Sequence, residues 1–438
     1  MRDDTIAAIA TPPGMGGVSV IRVSGGEAPA IAQQLAGKLP RPREAALATF
    51  RDSQRQVLDQ GLLIYFPAPH SFTGEAVIEL HGHGGIAVTH NLLQAVLAEG
   101  ARLAEPGEFS RRAFLNGKMD LAQAEAVADL IAARSQAAVQ AAHRALQGEF
   151  SRAVNQLADD VYALRRYIEA ALDFPEEEID FLAEGDIERR LLAVGEALAR
   201  LVRQSEQGRL LNEGIQLAIV GKPNAGKSSL LNALLGEERA IVTEQAGTTR
   251  DIVREQLVID GIPVSILDTA GLRDSHDVVE QEGIRRARQA MANADMILWL
   301  VDGSAAEDAE DIGAPAGKTV LKVWNKADRA TFAAEDARLW ISAKTGQGLD
   351  ALKAEIARLA GQEHSEESPF IARARHVEAL KRAERHYEQA LAQLRGWRAG
   401  ELVAEDLRQV HDALGEITGK VTADDLLGAI FSSFCIGK

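Results

Sequence analysis

Gly221-Lys-Pro-Asn-Ala-Gly-Lys-Ser228 stands between the apolar run Ile215–Val220 and the helix-like run Ser229–Leu235. The stretch satisfies GxxxxGK[ST] in the strand-before, helix-after setting that a phosphate loop requires. Its glycines let successive backbone N–H groups turn toward phosphate oxygens, and the following helix N-terminus favours anions. Asn224, Ala225, Gly226, Lys227, Ser228 and Ser229 are therefore the first candidate nucleotide contacts, with Lys227 on the β/γ-phosphates and Ser228 on Mg²⁺. Downstream, Asp268-Thr269-Ala270-Gly271 closes the apolar strand Val264–Leu267. Its carboxylate suits Mg²⁺ through water, and its glycine N–H suits sensing of a γ-phosphate. Asn325-Lys326-Ala327-Asp328 ends the run Thr319–Trp324 and selects the base, because a carboxylate accepts from guanine N1–H and N2–H₂, an edge adenine does not offer. Ser342-Ala343-Lys344, after Leu339–Ile341, suits a loop whose backbone N–H reaches guanine O6. Four motifs in order, each at a strand end, imply GTP.

Length and charge limit what else the chain can be. At 438 residues it exceeds one core, and roughly 100–200 residues per domain predicts about three domains. A net charge of −16 excludes a generally basic nucleic-acid surface. A single cysteine excludes internal disulfides and fits a reducing compartment. Met1-Arg-Asp-Asp lacks a signal-peptide core, and no apolar run approaches the ~18 residues of a membrane span. The expectation is a cytoplasmic protein with no membrane contact.

Texture divides the chain. Residues 1–118 alternate short β-rich runs (Thr5–Thr11, Val18–Val23, Gly61–Phe66, Ala76–Leu80) with helix-like stretches at Ala28–Leu35 and Ile86–Glu99, an α+β pattern. After Met119 the composition turns to Ala, Leu, Glu, Arg and Gln, with helical periodicity over Leu121–Arg134, Ala137–Leu172 and Ile187–Leu211. It returns at Ala372–Trp397, Ala404–Leu414 and Ala423–Phe431. The predicted fold class is multidomain α/β: an N-terminal α+β domain at 1–118, and an all-α helical domain whose halves, 119–212 and 371–438, flank an inserted Ras-like P-loop GTPase α/β domain at 213–370. Two separate helical domains are the alternative. Asp173–Asp180 reads as an acidic loop and Gly361–Ser368 as a polar linker.

The hydrolytic machinery is less explicit. Ras-like enzymes place a glutamine after the DxxG glycine to orient water, and here Leu272 stands there. Asp274, Asp277, Glu280 and Glu282 follow, and any of these carboxylates suffices chemically; each is equally an ordinary solvated charge. Arg250 and Arg273 are candidate fingers. Thr243-Glu244-Gln245-Ala246-Gly247-Thr248-Thr249 forms the loop expected over the phosphates, and one of its threonine hydroxyls can complete the Mg²⁺ shell. Asn224 carries an amide oxygen beside the phosphates, where a monovalent cation can stand in for a missing arginine.

The whole chain resembles the bacterial family of tRNA-modification GTPases called MnmE or TrmE, within the TRAFAC superfamily. The resemblance rests on Thr11-Pro-Pro-Gly-Met-Gly-Gly17, Glu79-Leu-His-Gly-His-Gly-Gly85, Ala113-Phe-Leu-Asn-Gly-Lys118 with Asp120-Leu-Ala-Gln-Ala-Glu125, the GTPase motifs, and Phe434-Cys-Ile-Gly-Lys438. It implies a folate-binding-like N-terminal domain that dimerises, so a homodimer, and potassium-stimulated GTP hydrolysis through G-domain dimerisation. It places K⁺ on Asn224 with loop oxygens of Thr243, Gln245 and Thr248, sets Thr249 beside Ser228 on Mg²⁺, and makes Glu280 the water-positioning carboxylate. It implies 5-formyl- or methylene-tetrahydrofolate bound by Arg22, Glu79, Lys118 and Lys438, with Cys435 beside it as a candidate in the chemistry; a small buried thiol at a docked C-terminus is the other reading of Cys435. A pterin edge offers paired donors to a carboxylate, and an acidic tail wants cations. The cluster His81, His83 and His90, without cysteine or HExxH, reads as a glycine-rich turn and packing rather than a metal site. The implied activity is modification of carbon 5 of the wobble uridine of certain tRNAs, in a hetero-oligomer with the flavoprotein MnmG (GidA). The alternatives are a ribosome-assembly or signalling GTPase with a docking N-domain, and a septum-type GTPase.

Overall fold

The computed structural model describes residues 4–173, 186–237, 255–267, 288–304, 312–329, 338–361, 370–396, 400–421 and 424–437. They divide into two compact units, Met1–Ala128 with Asp412–Lys438, and Asp129–His411.

The first unit runs β1 (Ile6–Ile9), β2 (Gly16–Ser24), α1 (Ala28–Ala36), β3 (Ala46–Arg51), β4 (Val57–Phe66), β5 (Val77–Gly84), α2 (Ile86–Ala98), β6 (Arg102–Leu103), α3 (Glu108–Leu115) and the start of α4 (Leu121–Ala132). Its sheet has the order β3-β4-β5-β2-β1-β6, antiparallel except for the short β1–β6 pair. Period-two alternation separates the faces. Ile21 and Val23 pair with Leu80 and Ile78, and all four are buried with Ile31 and Leu35 of α1 and Leu92 and Val96 of α2. Arg22 and Glu79, paired between them, point the other way.

The anticipated strands and helices of this unit stand within a few residues of their expected ends, but β3, β6 and α3 were not anticipated. β3 reads Ala-Leu-Ala-Thr-Phe-Arg with weak alternation, β6 has two residues, and α3 carries Glu108, Ser110, Arg111 and Arg112 in one eight-residue helix. Those charges hold the edge of the sheet. Arg102 donates to Asp4 at 2.7 Å and to Glu108 at 2.6 Å, while Arg112 donates to Asp4 at 2.8 Å, Glu108 at 3.0 Å and Glu75 at 3.1 Å.

The second unit continues with α5 (Gln136–Leu146), α6 (Glu149–Asp173) and α7 (Asp186–Glu213). The single helical stretch expected over Ala137–Leu172 is two helices: Gln147 and Gly148 donate back to His143 and Ala145, and Gly148 takes φ +79°, closing a turn instead of a further helical one. Then come β7 (Ile215–Val220), α8 (Lys227–Glu237), β8 (Glu255–Ile259), β9 (Ile262–Leu267), β10 (Met296–Asp302), β11 (Thr319–Asn325), β12 (Leu339–Trp340) and α9 (Leu349–Leu359). The sheet order is β12-β11-β10-β7-β9-β8, all parallel but the β8–β9 hairpin. Leu217, Ile219, Leu298 and Val264 of the strands close a core with Leu230 and Leu234 of α8 and Leu352 and Ile356 of α9. β7 lies where the winding reverses, the position at which open α/β sheets bind ligands beyond their strand ends.

The helical texture resumes in α10 (Ala374–Gly396), which packs along α7, and α11 (Gly400–Thr418). The two ends of the inserted domain meet: Asn212 donates to the Ala372 carbonyl at 3.4 Å, and the Ala374 N–H donates to Glu213 at 2.9 Å. Asp129 and Arg373 pair at 2.7 Å beside this junction. The last helix, α12 (Asp424–Ser432), belongs to the first unit, where Leu427, Ile430, Phe431 and Phe434 pack with Leu121 and Ala124. No helix among the described residues is long and apolar enough to cross a membrane.

Candidate functional site

In the second unit, three loops converge beyond the C-terminal ends of β7, β11 and β12. The phosphate loop leaves β7 at Gly221 and enters α8 at Lys227. Asn224 takes φ +65° and Gly226 φ +96°, so the backbone curls instead of extending. A side chain at Gly226 would place its Cβ 2.2 Å from Asn325 Nδ2, so glycine is required for the approach as well as the dihedral. Asn325 is 3% exposed and joins the loops: Nδ2 donates to the Ala225 carbonyl at 2.8 Å, and Oδ1 accepts from the Ala343 N–H at 3.0 Å. One asparagine thus ties the phosphate loop, its own motif and the Ser342–Lys344 loop together.

The remaining groups are poised around that centre. Lys227 Nζ donates to the carbonyls of Gly221 at 2.8 Å and Lys222 at 3.1 Å, and burial pushes its ammonium below the usual lysine range. An anion supplied there relieves that burial. Asp328 accepts from Ser342 Oγ at 2.7 Å, a bond that holds its carboxyl below the ordinary aspartate value and leaves oxygen capacity for a base. The Ala343 N–H is occupied by Asn325, whereas the Lys344 N–H has no hydrogen bond among the described residues. Ser228 and Ser229 are exposed in the first turn of α8.

Sequence reading missed Asp302. It ends β10 opposite Asn325 and pairs with Lys326 Nζ at 2.5 Å, while Ser304 donates to it through N–H at 3.0 Å and Oγ at 2.6 Å. Burial raises the Asp302 carboxyl, but Lys326 and Ser304 outweigh it and hold it low. The signal was present as an apolar run ending in Asp-Gly.

The first unit presents a second cluster. Arg22 and Glu79 form an ion pair at 2.9 Å, His81 Nε2 lies 3.2 Å from Glu79, and the Arg22 guanidinium sits 5.7 Å from the Phe72 ring and 5.8 Å from the Phe109 ring. Phe72 and Phe109 are the residues that sequence reading missed here; they lie in a loop and at the start of the unanticipated α3. Lys118 donates to the Pro69 carbonyl at 3.0 Å, in the segment that also carries Phe72. Cys435 is exposed, and its carbonyl accepts from the Gly107 N–H at 3.4 Å, at the entry to α3. A charged pair between two rings, with a nearby ammonium, fits a flat donor-bearing ligand with an anionic tail. His83 pairs with Asp59, and His90 is exposed on α2. Thr243, Glu244, Gln245, Ala246, Gly247, Thr248, Thr249, Arg250, Asp268, Thr269, Ala270, Gly271, Leu272, Arg273, Asp274, Asp277, Glu280, Glu282 and Lys438 lie outside the described residues, as do Glu176–Glu178.

Residues 121–435 match the family described as the MnmE helical domain, and residues 5–118 match the GTP-binding protein TrmE N-terminus. A tRNA modification GTPase MnmE of Dichelobacter nodosus is 58% identical over 448 aligned positions, covering 100% of this chain and 99% of the relative. The protein of that name from Hydrogenovibrio crunogenus is 53% identical, again over 100% of this chain and 99% of its own. A solved structure, Era of Aquifex aeolicus bound to GDP and aluminium fluoride, aligns at 30% identity over 39% of this chain and 66% of its own with a TM-score of 0.26, too low to bear on the fold.

Proposed function

The chain belongs to the MnmE family of tRNA-modification GTPases, and from that premise we propose that it is a potassium-dependent GTP hydrolase that works with the flavoprotein MnmG on carbon 5 of the wobble uridine of certain tRNAs. The observation that carries the nucleotide reading is the Asn325 bridge, which brings the phosphate loop and both base-selecting loops to one point. On binding, Lys227 exchanges two loop carbonyls for phosphate oxygens, and Ser228, with Thr249, holds Mg²⁺. Asp328 takes the guanine N–H edge, the Lys344 N–H takes O6, and Lys326, stretched toward Asp302, offers its alkyl stem beside the base. Asn224, with Thr243, Gln245 and Thr248, holds K⁺, which supplies the transition-state charge that an arginine supplies elsewhere. Glu280 positions the attacking water. The GTPase domain occupies 213–370, and the helical halves on either side couple its cycle to the N-terminal domain of a homodimer. Arg22, Glu79 and Lys118, with Lys438, hold a reduced folate that supplies one carbon when bound, and Cys435 stands at the entry to α3 beside that cluster.

The test is steady-state GTP hydrolysis in potassium and in sodium buffer, with 5-formyltetrahydrofolate binding measured by calorimetry. Potassium-selective stimulation, loss of hydrolysis with retained GTP binding in Glu280→Ala, and folate binding are expected. Cation-indifferent hydrolysis together with absent folate binding would leave a GTPase with a docking N-domain.

A further inference from the structure

Glu79 bonds to both Arg22 and His81, but His83, the other histidine at the end of β5, does not join them. His83 Nδ1 lies 2.7 Å from Asp59 Oδ1, and its backbone N–H donates to Asp59 Oδ2 at 2.7 Å. Asp59, on β4, also accepts from the Gln60 N–H at 2.8 Å, and its side chain is only 10% exposed. Burial pushes that carboxyl up, but the bonds from His83 and Gln60 outweigh it and hold it below the ordinary aspartate value. An ionised carboxylate only accepts, so Nδ1 carries a proton and Nε2 is the nitrogen left to exchange one. Nε2 has no hydrogen-bond partner among the described residues, and the ring is 73% exposed. The backbone is shaped around this pairing: at Gly82 a Cβ would stand 2.6 Å from Asp59 Oδ2, so only glycine lets the carboxylate reach the imidazole. Gly84 pairs with Gly16 at the start of β2, where Gly14 and Gly17 face open space and Met15 is exposed. A histidine held by a carboxylate at one nitrogen, its second nitrogen open at the glycine-rich end of β5, is the arrangement of a general base.

We propose that the His83–Asp59 pair is a proton-transfer site for a small primary amine substrate. The proposal rests on the proposed function above, with the group added at carbon 5 of the uridine read as an aminomethyl-type group. An amine reaches neutral solution as R–NH₃⁺, which has no lone pair to bond carbon. His83 Nε2 takes one proton, the N–H pair stays on the amine as its lone pair, and the resulting imidazolium is held by the Asp59 carboxylate; no oxidant is needed. The other charged groups on these strands, Glu79, His81 and Arg22, are committed to one another.

His83→Gln tests this, because the glutamine amide can still donate to Asp59 and keep the clasp while lacking a base. With the flavoprotein partner, tRNA, and ammonium or glycine as the amine, His83→Gln lowers the kcat of modification about 100-fold or more, with KM for the amine changed far less. His83→Ala regains turnover with added imidazole, which a structural role does not permit. In wild type, ammonium and glycine shift the His83 side-chain NMR signals, whereas tetramethylammonium, with no proton to give, leaves them in place. Wild-type turnover matched by His83→Gln, or variants that imidazole does not rescue, overturns the proton-transfer site alone. No modification by wild type with any amine overturns the aminomethyl reading and this site with it.

Discussion

Asn325→Ala isolates the bridge on which the nucleotide site depends. The change removes the bond to the Ala225 carbonyl at 2.8 Å and the bond from the Ala343 N–H at 3.0 Å. Each neutral bond is worth about 0.5–1.5 kcal/mol net, and a partner left buried and unpaired costs about 1–3 kcal/mol. Ala225 is 1% exposed, so its carbonyl stays dry, while Ala343 is half-buried and regains water in part. The sum is about 2–4 kcal/mol. It falls on the relative placement of three loops, because Asn325 ends its strand and the core beneath it is untouched. Lost placement appears as weaker binding, roughly 30- to 700-fold for both GDP and GTP. A fluorescent guanine nucleotide titrated to equilibrium reads the loss, and hydrogen exchange in β10 and β11 checks that the sheet survives. Asn325→Asp adds a second arm: it keeps the acceptor for Ala343 but turns a carboxylate oxygen toward the Ala225 carbonyl, and binding should be at least as weak. Affinity within threefold of wild type in Asn325→Ala, with the sheet intact, refutes the bridge as the organiser of the site.

Two further predictions concern stability. Burial pushes the Glu108 carboxyl up, but bonds from Arg102, the Glu105 N–H and Arg112 outweigh it and hold it low. Its folded value is therefore depressed, so the stability it contributes is present above about pH 4.5, the unfolded glutamate range, and is lost as pH falls through the folded value; amide protection at Ala104 should drop more steeply below that pH in wild type than in Glu108→Gln, and parallel curves would contradict the assignment. Asp129 is 7% exposed on its side chain and meets Arg373 through both Nε and a terminal nitrogen. Asp129→Ala should destabilise the second unit by about 3 kcal/mol, the lower end for breaking a buried pair, visible as a lower urea midpoint by far-UV circular dichroism; a midpoint equal to wild type contradicts it.

Four strands of the parallel sheet, β7, β9, β11 and β12, were legible as apolar runs ahead of motifs, whereas the central β10, Met296–Asp302, was not anticipated. Ile215–Val220 reads as an apolar run interrupted only by Gln216 and bounded by Gly214 and Gly221, and the observed β7 has those bounds. β8 was not anticipated, since Glu-Gln-Leu-Val-Ile begins in polar residues and pairs only at one edge. α3 was hidden for a related reason. Its buried face contains Glu108 and Arg112; Glu108 meets Arg102 six residues before it, but Arg112 is satisfied by Glu75 and Asp4, and no local periodicity announces partners 37 and 108 residues away. The same limit governs the sites. Asn325, Lys227 and Asp328 follow from motif chemistry, but the Asp302 clamp on Lys326 and the Asp59 clamp on His83 depend on strand register, here β10 against β11 and β4 against β5. Register is a property of the assembled sheet.

The meeting of Asn212 with Ala372 and of Glu213 with Ala374, 160 and 161 residues apart in sequence, changes what the nucleotide-binding domain is from the standpoint of the helices α7 and α10. To that helix pair it is a single loop, already closed. Closure entropy grows only with the logarithm of loop length, about 0.6 kcal/mol for each doubling, so the host is nearly indifferent to the size of its guest. The converse is more restrictive. A guest attached through two adjacent points has no lever arm between its ends, and any turning of the domain is felt by the host as torsion at one place, the end of α7 and the start of α10.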